Sequence, residues 1–236
     1  MKLRGSALTG TRRDIVILPA APSDRNHSIS SIRAVILDFG EVISQPPDPG
    51  AIATMAATFG LQEDRFRQIY SSLRHGYDRG DIGASQYWAG IAAAAGIELS
   101  ASQIERLREM DVAMWSILNR PVLRWAELLR SSGLKTAVLS NMHDDMTQKI
   151  RKDPTWAERF DCLALSSEIR MAKPDGEIFI YCLDCLKVAA NEALFVDDRE
   201  TNVRAARELG IRGIVANSPA ELRRQLEGIE FTPLPE

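Results

Sequence analysis

The chain has 236 residues, of which 45% are hydrophobic and 26% charged, an ordinary balance for a soluble globular protein. A chain of this length buries one large core or two small ones. Its formal net charge of −3 excludes a general electrostatic pull toward nucleic acid or an anionic membrane, and no apolar run is long enough to span a bilayer.

Residues 1–31 stand apart. Met1 to Arg13 is basic and rich in Gly, Ser and Thr, Ile15 to Leu18 is a short apolar run cut by Pro19, and Ala21 to Ser31 is polar. The stretch reads as a flexible extension. Thr11-Arg12-Arg13 invites comparison with a twin-arginine export signal, but the apolar part is too short and is broken by proline. Three cysteines do not make a disulfide framework. Cys182 and Cys185 form a C-x-x-C inside a helical pattern with no second ligand pair, so free thiols and a reducing, cytoplasmic setting are expected.

In chain order, Ala34-Val35-Ile36-Leu37 is an apolar run typical of a buried strand, and it ends on Asp38. Gly40 follows two residues later, where the chain can turn sharply. After the turn-rich Gln45 to Gly50, no strand-like run occurs until about residue 119. Helices are expected instead over Ala51 to Phe59, Glu63 to Leu73, Ala84 to Ala95 and Ala101 to Leu118, the last capped by Ser100. His75 to Ile82 reads as a polar turn between them. An amphipathic helix then begins at Pro121 and stops at Gly133. Beyond it strands and helices alternate. The strands are Thr136 to Leu139, Cys162 to Leu165, Ala193 to Val196 and Ile214 to Ala216. The helices are His143 to Lys152, Glu177 to Lys187, Arg199 to Leu209 and Pro219 to Leu226. This alternation predicts an α/β fold with a Rossmann-like, doubly wound parallel sheet. The core comprises 32–46 and 120–236, with an all-helical cap, 47–119, inserted after the first strand.

The strand ends carry the chemistry. In an open parallel sheet, ligands bind at the carboxyl ends of the strands. There stand Asp38, Ser140, and the pair Asp197 and Asp198, with Lys173 just before the helix that follows the third strand. Three carboxylates in one small site call for a cation. An all-oxygen ligand set with open positions suits Mg²⁺. Lys173 and Ser140 supply donors for an anion with several oxygens, which together with Mg²⁺ describes a phosphoryl site. Asp38 can then attack phosphorus and form an aspartyl phosphate.

Four motifs resemble those of the haloacid dehalogenase-like hydrolase superfamily. They are Asp38-Phe39-Gly40-Glu41-Val42, Leu139-Ser140-Asn141, Lys173-Pro174, and Val196-Asp197-Asp198 with Asn202 following. The helical insert resembles this family's cap, and Tyr77 to Asp81 with the later motifs looks most like the bacterial sugar-1-phosphatase branch. The resemblance implies Asp38 as nucleophile and metal ligand, and a backbone carbonyl of Gly40 on Mg²⁺. It implies Ser140 and the amide of Asn141 as phosphate donors, Lys173 as the neutralising and orienting cation, and Asp197 and Asp198 completing the metal site. It implies a small phosphorylated substrate, and the net charge and lack of a spanning run point to neither nucleic acid nor membrane as partner.

The sequence departs from that pattern at one position. Most phosphatases of the superfamily carry a second aspartate two residues after the nucleophile, as general acid and base; here Gly40 stands there. Such catalysis is worth a factor of about 10²–10⁴. Without it, esters with good leaving groups, such as anomeric sugar or acyl phosphates, are the expected substrates. Glu41, His75, Asp78, Asp81, His143 and Asp144 are the candidates for compensation, although charged loop residues are usually only solvated. A mutase, which needs acid–base help in both directions, fits poorly. A dehalogenase, in which the aspartate attacks carbon without Mg²⁺, leaves the Asp197-Asp198 pair unexplained. A degenerate protein that binds a phosphate ester without turnover is the reading from another class. A response-regulator receiver is not, because its acidic pair comes first in the chain. Trp88, Trp115, Trp125 and Trp156 read as packing residues, Met142 and Met146 as filler near the second motif, and His143 as exposed.

Overall fold

Ala34–Leu37 forms β1, and all four of its side chains are fully buried, because the sheet is covered on both faces. The structure is a computed structural model that describes residues 32–235; the extension expected over 1–31 lies outside the described residues. Four further strands are Lys135–Ser140 (β2), Cys162–Leu165 (β3), Ala193–Asp197 (β4) and Arg212–Val215 (β5). Every neighbouring pair is parallel, in the order β3-β2-β1-β4-β5. The α/β, Rossmann-like reading holds, with strand boundaries moved by one or two residues.

Four helices follow β1: α1 (Pro49–Thr58), α2 (Glu63–Asp78), α3 (Ala84–Ala95) and α4 (Ala101–Met114). Helix α5 (Arg120–Ser131) leads into β2. Helices α6 (Asp144–Lys152) and α7 (Thr155–Arg159) join β2 to β3, and α8 (Ser166–Ile169) and α9 (Gly176–Leu186) join β3 to β4. Helix α10 (Glu200–Glu208) lies between β4 and β5, and α11 (Pro219–Gly228) comes last.

The two-residue period of a strand splits β1 between two cores. Val35 and Leu37 pack with Leu129 of α5 and with Leu222 and Leu226 of α11. Ala34 and Ile36 pack on the other face with Ile178 and Phe179 of α9 and Val203 of α10. Helices α1 to α4 enclose a separate apolar cluster built on Met55, Phe66, Tyr87, Trp88 and Ile91. This layer therefore holds together through its own burial.

Three local expectations are corrected. Helix α2 runs on to Asp78, so His75 to Asp78 is helical rather than a turn. Helix α4 stops at Met114, because the chain that follows pairs with the chain that entered the cap. Gln45 N–H donates to the Ile117 carbonyl and Asn119 N–H to that of Ile43, with Ser44 bridging Leu118 antiparallel. The cysteines are not three free thiols. Helix α9 lies across β3, and Cys162 and Cys185 are joined in a disulfide with their Cα atoms 6.1 Å apart, leaving Cys182 free and buried. The free-thiol ground for a reducing compartment is thereby lost. No helix among the described residues is long and apolar enough to cross a membrane.

Helix α10 packs closest to the sheet at Gly213 of β5. A Cβ there would stand 2.5 Å from Val203 Cγ1 and 3.2 Å from the Val203 carbonyl oxygen. Gly213→Ala forces strand and helix apart and is expected to destabilise the fold by about 1–3 kcal/mol, read as a lowered urea midpoint with an unchanged slope.

Candidate active site

The strand order places the topological switch point between β1 and β4, since the chain leaves β1 toward β2 on one side and returns to β4 on the other. Leu37 is in register with Val196, and Asp38 N–H donates to the Val196 carbonyl at 2.9 Å. Asp38 and Asp197 therefore emerge side by side at the carboxyl edge. Asp38, Asp197 and Asp198 each offer a carboxylate oxygen within 4.8 Å of the others.

Lys173 fills the space between two of them. Its Nζ lies 2.7 Å from Asp38 Oδ1 and 2.6 Å from Asp197 Oδ2, and the side chain is almost wholly buried. Burial works against the charge of this ammonium, but Asp197 and Asp38 outweigh it and hold its pKa above the usual lysine value. The backbone of Lys173 is held by a reciprocal pair: its N–H donates to Asn141 Oδ1 at 2.7 Å, and Asn141 Nδ2 donates to its carbonyl at 2.8 Å. The side chain of Asn141 is thus spent on positioning Lys173, which leaves only its backbone amide for a ligand.

The three carboxylates are not equivalent. Asp197 Oδ1 accepts from Arg199 N–H and Asn202 Nδ2, and Oδ2 accepts from Lys173 Nζ and Asn202 Nδ2. Its lone pairs are largely used. Asp38 accepts from Phe39 N–H at 2.7 Å and from Lys173 through Oδ1, and the Ser140 hydroxyl helps to stabilise its charge. Burial nevertheless raises the Asp38 pKa, Lys173 opposes this, and Asp197 adds to it. Among the described residues, the cationic group paired with Asp198 is Arg199 Nε, at 3.8 Å. Its pKa is pushed up to about 7 by burial and then by the charges of Asp38 and Asp197. Three carboxylates against one ammonium leave an excess of two negative charges. That excess and the hard oxygen donors fit a divalent cation such as Mg²⁺, with Asp38 and Asp198 as the carboxylates that still have free lone pairs.

Between β1 and the cap lies one wide turn, Phe39–Ile43. Gly40 has an extended conformation (φ −62°, ψ 130°) that any residue adopts, while Glu41 takes a left-handed one (φ 56°). A Cβ on Gly40 would meet Trp115 at 3.5 Å and Asp38 Oδ2 at 4.0 Å. The backbone does not demand a glycine here, and the indole of Trp115 stands where a longer side chain would project.

The cap closes over this edge. A cavity of about 350 Å³ is lined by Asp38, Glu41, Ser140, Lys173 and Asp198 from the core and by Arg74, His75, Asp78 and Trp115 from the cap. A larger open groove of about 860 Å³ beside Gln45, Ile117 and Arg159 is reached by none of the motif residues. Closure is held by several contacts. The Ser166 hydroxyl donates to the Asp78 carbonyl. Arg108 of α4 grips Asp145 of α6 with two nitrogens. Gly80 (φ +78°) presses on the loop after β3, where a Cβ would lie 2.8 Å from Arg170 Nη1 and 3.0 Å from the Ser167 carbonyl oxygen.

Of the residues considered as compensation for Gly40, His75, Asp81 and Asp144 are exposed, the first on the cavity rim. Asp78 is buried, and its Oδ1 accepts from Arg74 Nε at 2.8 Å. His143 is not exposed, as had been expected, but only 1% accessible, because the cap covers it. It stacks on Tyr77 with ring centroids 4.7 Å apart. The sequence does not single out Arg74, Asp111 or Arg199, and Trp115, read from it as a packing residue, lines the cavity. Tyr70, Arg74 and Asp78 are spaced by four and share one face of α2. That signal becomes visible only once the helix is known to extend past Leu73.

His143 Nε2 lies 3.4 Å from Asp111 Oδ2, but both ring nitrogens are buried without a hydrogen-bond partner among the described residues. Burial lowers its pKa to about 4, partly opposed by Asp111. The unfolded chain takes up a proton near pH 6.5 and the folded one only near 4, so His143 removes stability as the pH falls through that interval. His143→Gln is expected to lose this component, on the order of 3 kcal/mol, measured as the difference between variant and wild-type urea stabilities at pH 7.5 and pH 4.5.

Comparison with known proteins agrees with the geometry. The family model for haloacid dehalogenase-like hydrolases matches residues 32–210. The chain is 32% identical over 226 residues to bifunctional epoxide hydrolase 2 of Mus musculus, covering 87% of this chain and 40% of that one. It is 31% identical over 124 residues to the phosphoserine phosphatase of Thermus thermophilus, half of each chain. The matched relatives also include (S)-2-haloacid dehalogenases. The chain spans less than half the length of the first curated relatives it matches. Among solved structures, a HAD family enzyme of Bacteroides thetaiotaomicron in complex with magnesium and inorganic phosphate superposes with a TM-score of 0.62. It is 24% identical and covers 78% of this chain and 93% of that one, which shows the shared fold. The chain belongs to the haloacid dehalogenase-like hydrolases.

Proposed function

We propose that the protein is a Mg²⁺-dependent phosphatase that hydrolyses a small phosphorylated metabolite, a sugar phosphate being one such substrate, through an aspartyl phosphate on Asp38. The observation that carries this reading is the buried Lys173 between Asp38 and Asp197, with the open carboxylate of Asp198 beside them. Phosphorus approaching Asp38 brings several anionic oxygens. Lys173 and Ser140 neutralise and bind them, joined by the backbone amide of Asn141. Asp38, Asp198 and the Gly40 carbonyl would hold Mg²⁺, and Asp197, with its lone pairs engaged, chiefly fixes Lys173. When bound, the cation offsets the repulsion between the Asp38 carboxylate and the phosphoryl group.

The magnesium and phosphate complex of the Bacteroides structural neighbour and the phosphoserine phosphatase among the relatives support this assignment. The dehalogenases among the relatives keep the other chemistry in view. Attack on carbon makes no use of the uncompensated charge on Asp198, which favours phosphoryl transfer. Phosphate release from a panel of phosphometabolites should need Mg²⁺, stop with EDTA and return on adding Mg²⁺. Asp38→Asn should lower it by at least about 10³-fold. Halide release from a 2-haloacid that survives EDTA, with no phosphate released from any ester, would instead identify a dehalogenase.

A further inference from the structure

Resting on the phosphatase reading, we propose that Asp78 of the cap is the general acid and base of the reaction, in place of the aspartate missing at Gly40. In-line displacement sets the leaving oxygen opposite the attacking one. Asp38 attacks from the core, so the leaving oxygen faces the cap. The cap carboxylate on that side is Asp78, which lines the same cavity as Asp38 and is 8% exposed. Its Oδ1 is held by Arg74 Nε. Among the described residues no hydrogen bond reaches Oδ2, and that oxygen is not among the side-chain atoms sealed from solvent without a partner. Oδ2 is therefore a free acceptor on a carboxylate whose orientation is set through Oδ1.

The charges around Asp78 suit a proton carrier. Burial opposes the ionised form, Arg74 on its own helix favours it, Asp111 on α4 opposes it and Arg199 after β4 favours it. The balance lifts the pKa to about 6, close to where a group can both give and take a proton at neutral pH. The other buried or half-buried candidates fit less well. Burial keeps His143 neutral until about pH 4. Glu41 lines the cavity from the core side, on the turn that follows Asp38, and not from the cap.

In the first step Asp38 bonds to phosphorus, and the ester P–O bond breaks with its electron pair going to the leaving oxygen. Asp78 protonates that oxygen and becomes a carboxylate. In the second, a water attacks phosphorus from the vacated side and gives a proton to Asp78. The P–O bond to Asp38 breaks, the electron pair returns to the Asp38 carboxylate, and inorganic phosphate leaves. Ester and water become alcohol and phosphate, with Asp78 protonated again. Alkyl phosphates, which need an acid, thus become competent substrates, and the restriction to good leaving groups expected from Gly40 is lifted.

Asp78→Asn keeps the shape and an acceptor for Arg74, and is compared with the wild type in Mg²⁺. On an alkyl phosphate kcat should fall by about 10²–10³-fold. On p-nitrophenyl phosphate, whose leaving group needs no acid, the variant should release nitrophenol in a burst equal to the active sites, followed by slow turnover as the aspartyl phosphate waits for a base. The pH dependence of kcat near pH 6 should disappear. Asp78→Glu should recover part of the loss, and because the burst counts only folded, competent sites, partial misfolding does not mimic it. Asp78→Asn turnover of the alkyl phosphate within threefold of wild type, or a burst produced by Glu41→Gln and not by Asp78→Asn, overturns the assignment while leaving the phosphatase reading intact. A wild type that releases phosphate from no ester overturns both.

Discussion

A buried ammonium between two buried carboxylates is the constraint on which the site depends. Lys173, Asp38 and Asp197 are nearly removed from water. The two carboxylates are not tolerable there without the ammonium, since losing Lys173 leaves buried uncompensated charge, at a cost of about 3–5 kcal/mol. The surroundings are built to keep the trio in place. The Asn141 side chain clamps the backbone of Lys173 from both sides. Asn202 and the Arg199 amide saturate Asp197. Parallel pairing of β1 with β4 sets Asp38 beside Asp197 without any freedom of register. The same trio leaves Asp198 repelled by its neighbours, and that residual negative charge makes a place for a cation.

The second half of the site is supplied by a separate layer. Helices α1 to α4 have their own aromatic core, from which they present side chains to the sheet edge. What joins the layers is polar. Arg108 of α4 grips Asp145 of α6, the Ser166 hydroxyl donates to the Asp78 carbonyl, and His143 of the core stacks on Tyr77 of α2. A polar seam of this kind specifies one docked position, because each charge has its partner only there. The chain enters and leaves the cap as a short antiparallel pair around Ser44 and Leu118, which keeps the two crossings together.

The turn after Asp38 shows how a departure at one residue is absorbed elsewhere. Gly40 is not required by its own backbone; the left-handed residue is its neighbour Glu41. The space above Gly40 faces Trp115, the residue at which α4 ends because the chain must turn back beside its incoming segment. The indole of Trp115 forms part of the cavity wall. A carboxylate reaches the cavity from the other end, where α2 extends far enough to carry Asp78.

The sequence by itself determined the sheet and the motif residues, because both are written in local pattern. Aliphatic runs ending on Asp38, Ser140 and Asp197 can only be buried strands with polar ends, and βα alternation makes those strands parallel. From that, Asp38, Lys173, Asp197 and Asp198 had to meet. Helix ends were less legible: α2 continues through Gly76, and α4 stops under a pairing made with residues about seventy positions earlier. Only the tertiary structure decided which groups remain free. It spent the lone pairs of Asp197 on Asn202, Arg199 and Lys173, turned the Asn141 side chain toward Lys173, and joined Cys162 to Cys185 across β3 and α9. It buried His143 beneath the cap and brought Asp78 to the cavity while leaving Asp81 in solvent. Burial and hydrogen-bond partners belong to the packing of distant segments, and in the proposed reaction they set which carboxylate attacks, which holds a cation and which carries a proton.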